Sequence, residues 1–446
     1  LEVLVRHVGD LPLGDMHGEV DLRRGAPAER EVVVDARAAE APQEQLLEVA
    51  AQIGGEPVPR QRHEDGDAPA GDVGADEEAQ VALFLGGQEA HHLFPQVVDR
   101  RGEPHGVVVV MATFEPDAEL LARQVQSIRD QTFDPLGDDG TLGFTVESVT
   151  QNPDANTLRR ITGTFTVPNF LENDGSPGNA FHYDDTSPDA LPTMNGTLEA
   201  PFMCNISDAT MSGSEPAHLV QYGHGLLGGH DEINAGNVRA MSNEHNAVYC
   251  ATKWAGMSED DVANAASTLA EFGNFRTIAD RLQQGVLNQI YLGRLMTRIG
   301  GLVDDPNFQR ADGTPLIDVT HLDYDGNSQG GIMGLMLAAV SPDIERAVLG
   351  VPGMNYSLLL PRSVDWATYE AIFAPAYPND LDRTLILAAV QMLWDRGEGA
   401  GYAQHVTKNP YEGTDAKTVL LHVAYGDHQV SEDRKSTRLN SSHVKR

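Results

Sequence analysis

Five apolar segments, each ending in glycines or a turn, recur through the second half of the chain with helical stretches between them. They read AHLVQYGHG (Ala217 to Gly225), NAVYCATKW (Asn246 to Trp254), DVTHLDYD (Asp318 to Asp325), ERAVLGVPG (Glu345 to Gly353) and KTVLLHVAYGD (Lys417 to Asp427). Nearly continuous apolar runs of this length mark strands buried on both faces, and helices between them carry the crossovers of a parallel sheet. Between Phe275 and Ile299, apolar residues at Phe275, Ile278, Ala279, Leu282, Val286, Ile290 and Met296 keep helical spacing and predict a long amphipathic helix. The fold class that follows is α/β, with a mostly parallel sheet and helices on both faces.

Upstream, Gly143 to Phe170 alternates in two β-rich runs around Asn-Pro-Asp-Ala-Asn, the chemistry of a hairpin. Gly175 to Asn195 is rich in Gly, Pro, Asp and Asn and is expected as loop, with a strand at Ala200 to Ser207. Residues 361–409 interrupt the strand–helix rhythm with further helical stretches. An insertion of that length between two strands is expected as a lid over one end of the sheet, the alternative being a longer crossover.

The stretch DYDGNSQGGIMG contains Gly326-Asn327-Ser328-Gln329-Gly330, a G-x-S-x-G between a strand and a small-residue helix. A serine hydroxyl becomes a nucleophile only when exposed, aligned and partnered with a base. A sharp strand-to-helix turn exposes it, and the close backbone contacts of such a turn require flanking glycines. Attack on a carbonyl builds an oxyanion, for which the Gln329 amide at the helix start is one expected donor. The glycine-rich YGHGLLGG (Tyr222 to Gly229) offers the second, with His224, Gly225 and Leu226 as its candidate residues. Asp427, at the end of the last apolar run, is the candidate acid, since ligands of open α/β sheets gather at the carboxyl ends of strands. It would orient a histidine and stabilise its cation.

Taken in order, His224-Gly225, the Ser328 turn and Gly426-Asp427 resemble the α/β-hydrolase superfamily across Ala200 to Glu432, with secreted bacterial esterase- and lipase-like serine hydrolases as the nearest in character. The resemblance implies the lid at 361–409, an N-terminal β-rich extension at 111–199, and acyl transfer from a small-molecule or lipid-like ester to water. It also implies export, to the periplasm or beyond. A peptidase or polyester depolymerase on the same scaffold, or a hydrolase-like protein that only binds, are the alternatives. The superfamily's base lies in a loop beyond the acid. None of His224, His422, His428 and His443 suits that position, and the catalytic histidine is expected to be missing from these 446 residues, leaving the chain inactive.

Composition bounds the credible sequence. Residues 1–110 contain no Ser, Thr, Asn, Lys, Tyr, Trp or Cys. That is the residue set of GC-rich codons read in a wrong frame or strand, so this segment is expected to be spurious or disordered. DRKSTRLNSSH (Asp433 to His443) resembles the translation of a sequencing adapter, and 433–446 is expected as a foreign tail. The formal net charge of −35 excludes a nucleic-acid partner, because a phosphate backbone would repel it. No apolar run is long enough to span a bilayer.

The two cysteines, Cys204 and Cys250, fit no zinc or redox spacing; buried thiols or a disulfide are both open. Asp304, Asp305 and Asp312 lack the calcium-loop pattern and are expected as turn residues, so neither metal nor cofactor is implied. Trp366, Tyr369, Phe373 and Trp394 are expected to pack the lid, or else to line an acyl pocket.

Overall fold

The computed structural model describes residues 143–430 except 186, 188 and 189, together with Leu4–Val8, Leu83–Phe84, Val107–Met111 and the helix α1 (Ala118–Phe133). The three short N-terminal strands pair into a small sheet of their own. Most of segment 1–110 and all of 433–446, for which a spurious origin is expected, lie outside the described residues.

One sheet of eight strands organises the rest. In chain order they are β1 (Phe144–Asp154), β2 (Thr157–Pro168), β3 (Thr197–Ser207), β4 (Ala217–Gly223), β5 (Ala247–Ala251), β6 (Ile317–Asn327), β7 (Ile344–Gly350) and β8 (Thr418–His422). In space they run β8-β7-β6-β4-β5-β3-β2-β1. The five strands from β8 to β5 are mutually parallel, and β3, β2 and β1 continue the sheet antiparallel. The hairpin expected as an extension therefore forms the far edge of the main sheet. Its turn is closed by Asp154, whose side chain accepts from the amides of Asn156 and Thr157 at 3.1 Å.

Parallel strands need covered faces. On one face lie α4 (Arg276–Thr297) and α5 (Gln329–Val340). On the other, α2 (Gly236–Glu244) closes a smaller cluster that includes Val220, Tyr222, Val238 and Tyr249. The α5 sequence is apolar all round, and all twelve of its residues are buried. The α4 helix departs from the amphipathic expectation, because its polar face is buried too. There Gln284 accepts from the Phe170 amide at 3.0 Å and donates to the Pro168 carbonyl at 3.0 Å, while Gln289 accepts from Gln221 at 2.6 Å. Each such group replaces its water partners with protein ones, which makes burial tolerable.

Cys204 and Cys250 stand opposite each other on β3 and β5 and form a disulfide that closes a 46-residue separation. Beyond β7, residues 361–409 fold as α6 (Trp366–Ala376), α7 (Asp380–Trp394) and shorter turns, with α6 packed against α3 (Val262–Ala270). Aromatic contacts fasten them down: Phe373 packs on Phe272 at 4.9 Å and Trp394 on Phe275 at 4.8 Å, both anchors flanking the N-terminal end of α4. The last strand, β8, was expected to be buried. It is instead the sheet's edge among the described residues, with Leu420 62 % exposed. Asp304, Asp305 and Asp312 each accept from a nearby backbone amide in a turn. No described helix is long and apolar enough to cross a membrane.

Candidate functional site

Ser328 occupies the single residue between β6 and α5, at φ 56° and ψ −120°. This is left-handed backbone that a residue with a Cβ adopts only when its surroundings compel it. The compulsion is visible on both sides. The Ser328 amide donates to the Gly350 carbonyl on β7 at 2.9 Å, and its carbonyl accepts from Ile332 at 3.0 Å as α5 begins. A Cβ on Gly330 would lie 2.0 Å from the Gly223 carbonyl oxygen, and one on Gly326 would lie 2.6 Å from the Gly330 carbonyl. The turn is therefore as tight as backbone contact permits. It leaves Ser328 half-exposed, facing a cleft of about 400 Å³.

The loop after β4 forms one wall of that cleft, through Gly225, Leu226 and Gly228. His224 is fully buried beneath it. Its Nε2 accepts from the Trp254 amide at 2.8 Å, which leaves Nδ1 as the protonated nitrogen, donating to the Gly225 carbonyl at 2.8 Å. Burial lowers its pKa to about 4. With both nitrogens committed and the ring neutral, His224 braces the loop and has no free base to offer. The Gly225 amide is committed as well, donating to both carboxylate oxygens of Glu232 at 3.0 and 2.9 Å. Of the residues expected to supply amides to an oxyanion, Leu226 and Gln329 also line the cleft. The Gln329 side chain points away, donating to the Met257 carbonyl at 2.9 Å.

Asp427 is half-buried in the loop after β8. Its Oδ1 accepts from the amides of Gln429 at 2.9 Å and Val430 at 3.0 Å, the geometry of a carboxylate capping a turn. Asp427 itself does not line the cleft, whereas Gln429 and Val430 do. The loop is tied to the lid by the Val364 amide, which donates to the His428 carbonyl at 3.0 Å. His422 ends β8 with an exposed side chain, and His428 is also exposed. Among the described residues, no histidine lines the cleft.

The opposite wall is formed by Ser363, Asp365 and Tyr369 of the insertion expected as a lid, together with Tyr356, Leu359 and Leu360 just before it. Of the four aromatic residues expected in the lid, Tyr369 alone reaches the cleft; Trp366, Phe373 and Trp394 pack behind it. Near the site, Glu232 and Asp325 carry no sequence signal that singles them out, whereas Tyr222 opens the glycine-rich stretch. Glu232 lies seven residues beyond the glycine whose amide it holds. Burial raises the Tyr222 phenol well above its ordinary pKa, with the neighbouring Glu232 carboxylate adding to the effect. Asp325, three residues before Ser328, has its pKa raised by burial, and Tyr249 donates to it at 3.5 Å. A hydrophobic-pattern reading sees such acids only as interruptions of a strand or loop.

No family model matches the chain, and no curated protein matches it. Several solved structures match it at low similarity. Acetyl xylan esterase 1 from Thermoanaerobacterium sp. JW/SL YS485 is 13 % identical over 70 % of this chain and 87 % of its own, with a TM-score of 0.36. Pyrococcus horikoshii acylaminoacyl peptidase is 13 % identical over 66 % of this chain and 42 % of its own, at 0.31, and the glucuronoyl esterase from Solibacter usitatus is 12 % identical over 77 % and 95 %, at 0.29. Likenesses this distant carry no weight for activity. What the structure itself shows is the expected α/β architecture: a mostly parallel sheet, its helices and a serine at a strand–helix turn.

Proposed function

We propose that this chain is a serine hydrolase that transfers the acyl group of a carboxylic ester to water. The observation that carries the proposal is Ser328, held in left-handed backbone at the head of α5 and opening on a cleft between the glycine loop and the lid. In this reading the Ser328 hydroxyl attacks the ester carbonyl and forms a bond to its carbon. The developing oxyanion takes hydrogen bonds from the Gln329 and Leu226 amides, the former at a helix N-terminus where unpaired N–H groups favour negative charge. The base takes the Ser328 proton and returns it to the alcohol as collapse breaks that group's bond to the carbonyl carbon; water, deprotonated in the same way, then releases the acid and restores the hydroxyl.

Asp427 is assigned to orient a histidine base. Its distance from the cleft wall is bridged by Gln429 and Val430, which share its turn, so a base standing between the acid and Ser328 would enter beside them. That base is the one member of the machinery with no assigned residue. Gly225 and His224 act in this scheme by shaping the loop that presents Leu226.

Phenylboronic acid tests the serine without requiring turnover, because its boron accepts the hydroxyl oxygen to form a tetrahedral adduct. Boron NMR should show that adduct with wild type and lose it with Ser328→Ala. Equal signals from the two proteins would exclude Ser328 as the nucleophile. Where the base is supplied, fluorophosphonate labelling followed by peptide mass spectrometry should place the modification on Ser328 and on no other serine.

A further inference from the structure

The cleft over Ser328 has a one-sided charge. Among the described residues that line it, none is Lys, Arg or His, whereas two are carboxylates, Glu232 on the loop side and Asp365 on the lid side. Arg362, the basic residue nearest to the lid wall in sequence, is exposed and outside the lining. Glu232 is fixed in place by the Gly225 amide, so its charge cannot swing away when a ligand enters. Asp365 is less engaged. Gln429 reaches it only at 3.4 and 3.3 Å, long for hydrogen bonds, which leaves its oxygens able to accept a stronger partner.

The remaining polar groups of the cleft, including Asn237, Asn327 and Ser363, are neutral, and Tyr222, Tyr356 and Tyr369 add aromatic surface. The whole chain carries a formal charge of −35, so the field around the cleft has the same sign as the charges within it. An anionic ligand would meet two carboxylates in a partly enclosed space with no cation among the described lining residues to offset them. A cationic one meets fixed negative charge and aromatic walls, the combination that binds ammonium groups.

We propose that the site selects esters bearing a positive charge, an amine or quaternary ammonium, on the portion that lies between the glycine loop and the lid. This rests on the reading of Ser328 as the nucleophile. Neutral amides and hydroxyls in the wall hydrogen-bond the ester's uncharged parts, and the charged part is recognised by Asp365 with Glu232 behind it.

Three phenylboronic acids of matched shape provide the test, carrying a trimethylammoniomethyl, a neopentyl or a carboxymethyl group at the meta position. Binding is measured by calorimetry on the full chain at low ionic strength. The ammonium probe should bind about threefold to tenfold more tightly than its neutral isostere, the range of a partly exposed charge contact. The carboxylate probe should bind most weakly of the three. Raising the salt to about 0.5 M should shrink the spread by screening, and Asp365→Asn should narrow the ammonium-to-neopentyl ratio. If the neopentyl probe binds as well as the ammonium probe, with binding lost in Ser328→Ala, the charge preference is overturned and the serine assignment stands. If Ser328→Ala binds the probes as wild type does, the serine assignment falls and the charge preference with it.

Discussion

The two walls of the cleft are built by different means. On the nucleophile side, geometry is set by backbone in contact with backbone: Gly330 against Gly223, Ser328 bonded to Gly350, and His224 with both ring nitrogens engaged. On the lid and acid side it is set by side chains with room around them. There Gln429 and Asp365 meet at long range, Tyr425 is 96 % exposed, and Gly426 has nothing within 4 Å of where its Cβ would be. A hydroxyl that must meet a carbonyl carbon tolerates little displacement, whereas a wall that admits ligands needs freedom to adjust. Substitutions on the two sides should therefore differ in kind as well as in size.

The largest difference is expected at Gly330→Ala. The added carbon would lie 2.0 Å from one backbone oxygen and 2.6 Å from its carbon, and neither can move without parting β4 from α5. A loss of more than about 4 kcal/mol, read by denaturant unfolding, or failure to fold is expected. A folded protein of near wild-type stability would show that the turn has slack, and the contrast between the walls would disappear.

Glu398, behind the lid wall, should give the next largest effect, with the opposite sign. It is wholly buried; Oε1 accepts from the Tyr356 amide at 3.0 Å and from Gln391 at 2.7 Å, and Oε2 has no partner. Burial raises its pKa to about 8, from 4.5 for the free group. The folded state thus keeps a proton that the unfolded chain releases, and stability declines as pH rises from about 4.5 to about 8. Glu398→Gln removes that decline. The variant should match wild type near pH 4 and exceed it at pH 8 by on the order of 4 kcal/mol. Parallel stability curves for the two proteins would mean the lid side is as well satisfied as the nucleophile side.

This asymmetry also explains what could be read from the sequence. The Ser328 turn was legible because its constraint is local: glycines two residues either side of a serine, between an apolar strand and a small-residue helix, leave few conformations. The parallel core was legible for the same reason, since buried strands must be apolar throughout. By contrast, Glu232 is placed by a loop that folds back over seven residues, and Asp365 by packing of the whole lid, and neither leaves a periodic trace. The α4 helix misled in an instructive way. Its glutamines read as a solvent face, yet they are buried because their partners come from Phe170, Pro168 and Gln221, remote positions that spacing cannot reveal. The exposure of β8 likewise depends on what neighbours it, and strand sequence alone does not report an edge.

His224 tests the nucleophile side through pH. The ring is neutral in the fold because its Nε2 must accept from Trp254, and burial holds its pKa near 4 against an ordinary 6.5. The stability it contributes is fully present above about pH 6.5 and is lost as pH falls through about 4, when protonation breaks the acceptor. Wild type should lose about 3 kcal/mol over that interval relative to His224→Gln, whose amide does not titrate. An identical acid response in both proteins would mean that the loop is not braced by this ring.

The smallest effect is expected at Gly426→Ala, in the turn that carries the candidate acid. Gly426 has φ 71°, so an L-residue there pays the left-handed penalty, but a Cβ would enter open space and displace nothing. The cost should be confined to that backbone preference, about 1 kcal/mol, and should be partly offset by the lower entropy of the unfolded chain. Both this position and Gly330 lie within two residues of a candidate functional side chain, and both are glycines flanking a turn at the end of a parallel strand. If their substitutions cost the same, the acid turn is held by close contacts of the same kind, and the adjustable wall reduces to the lid alone.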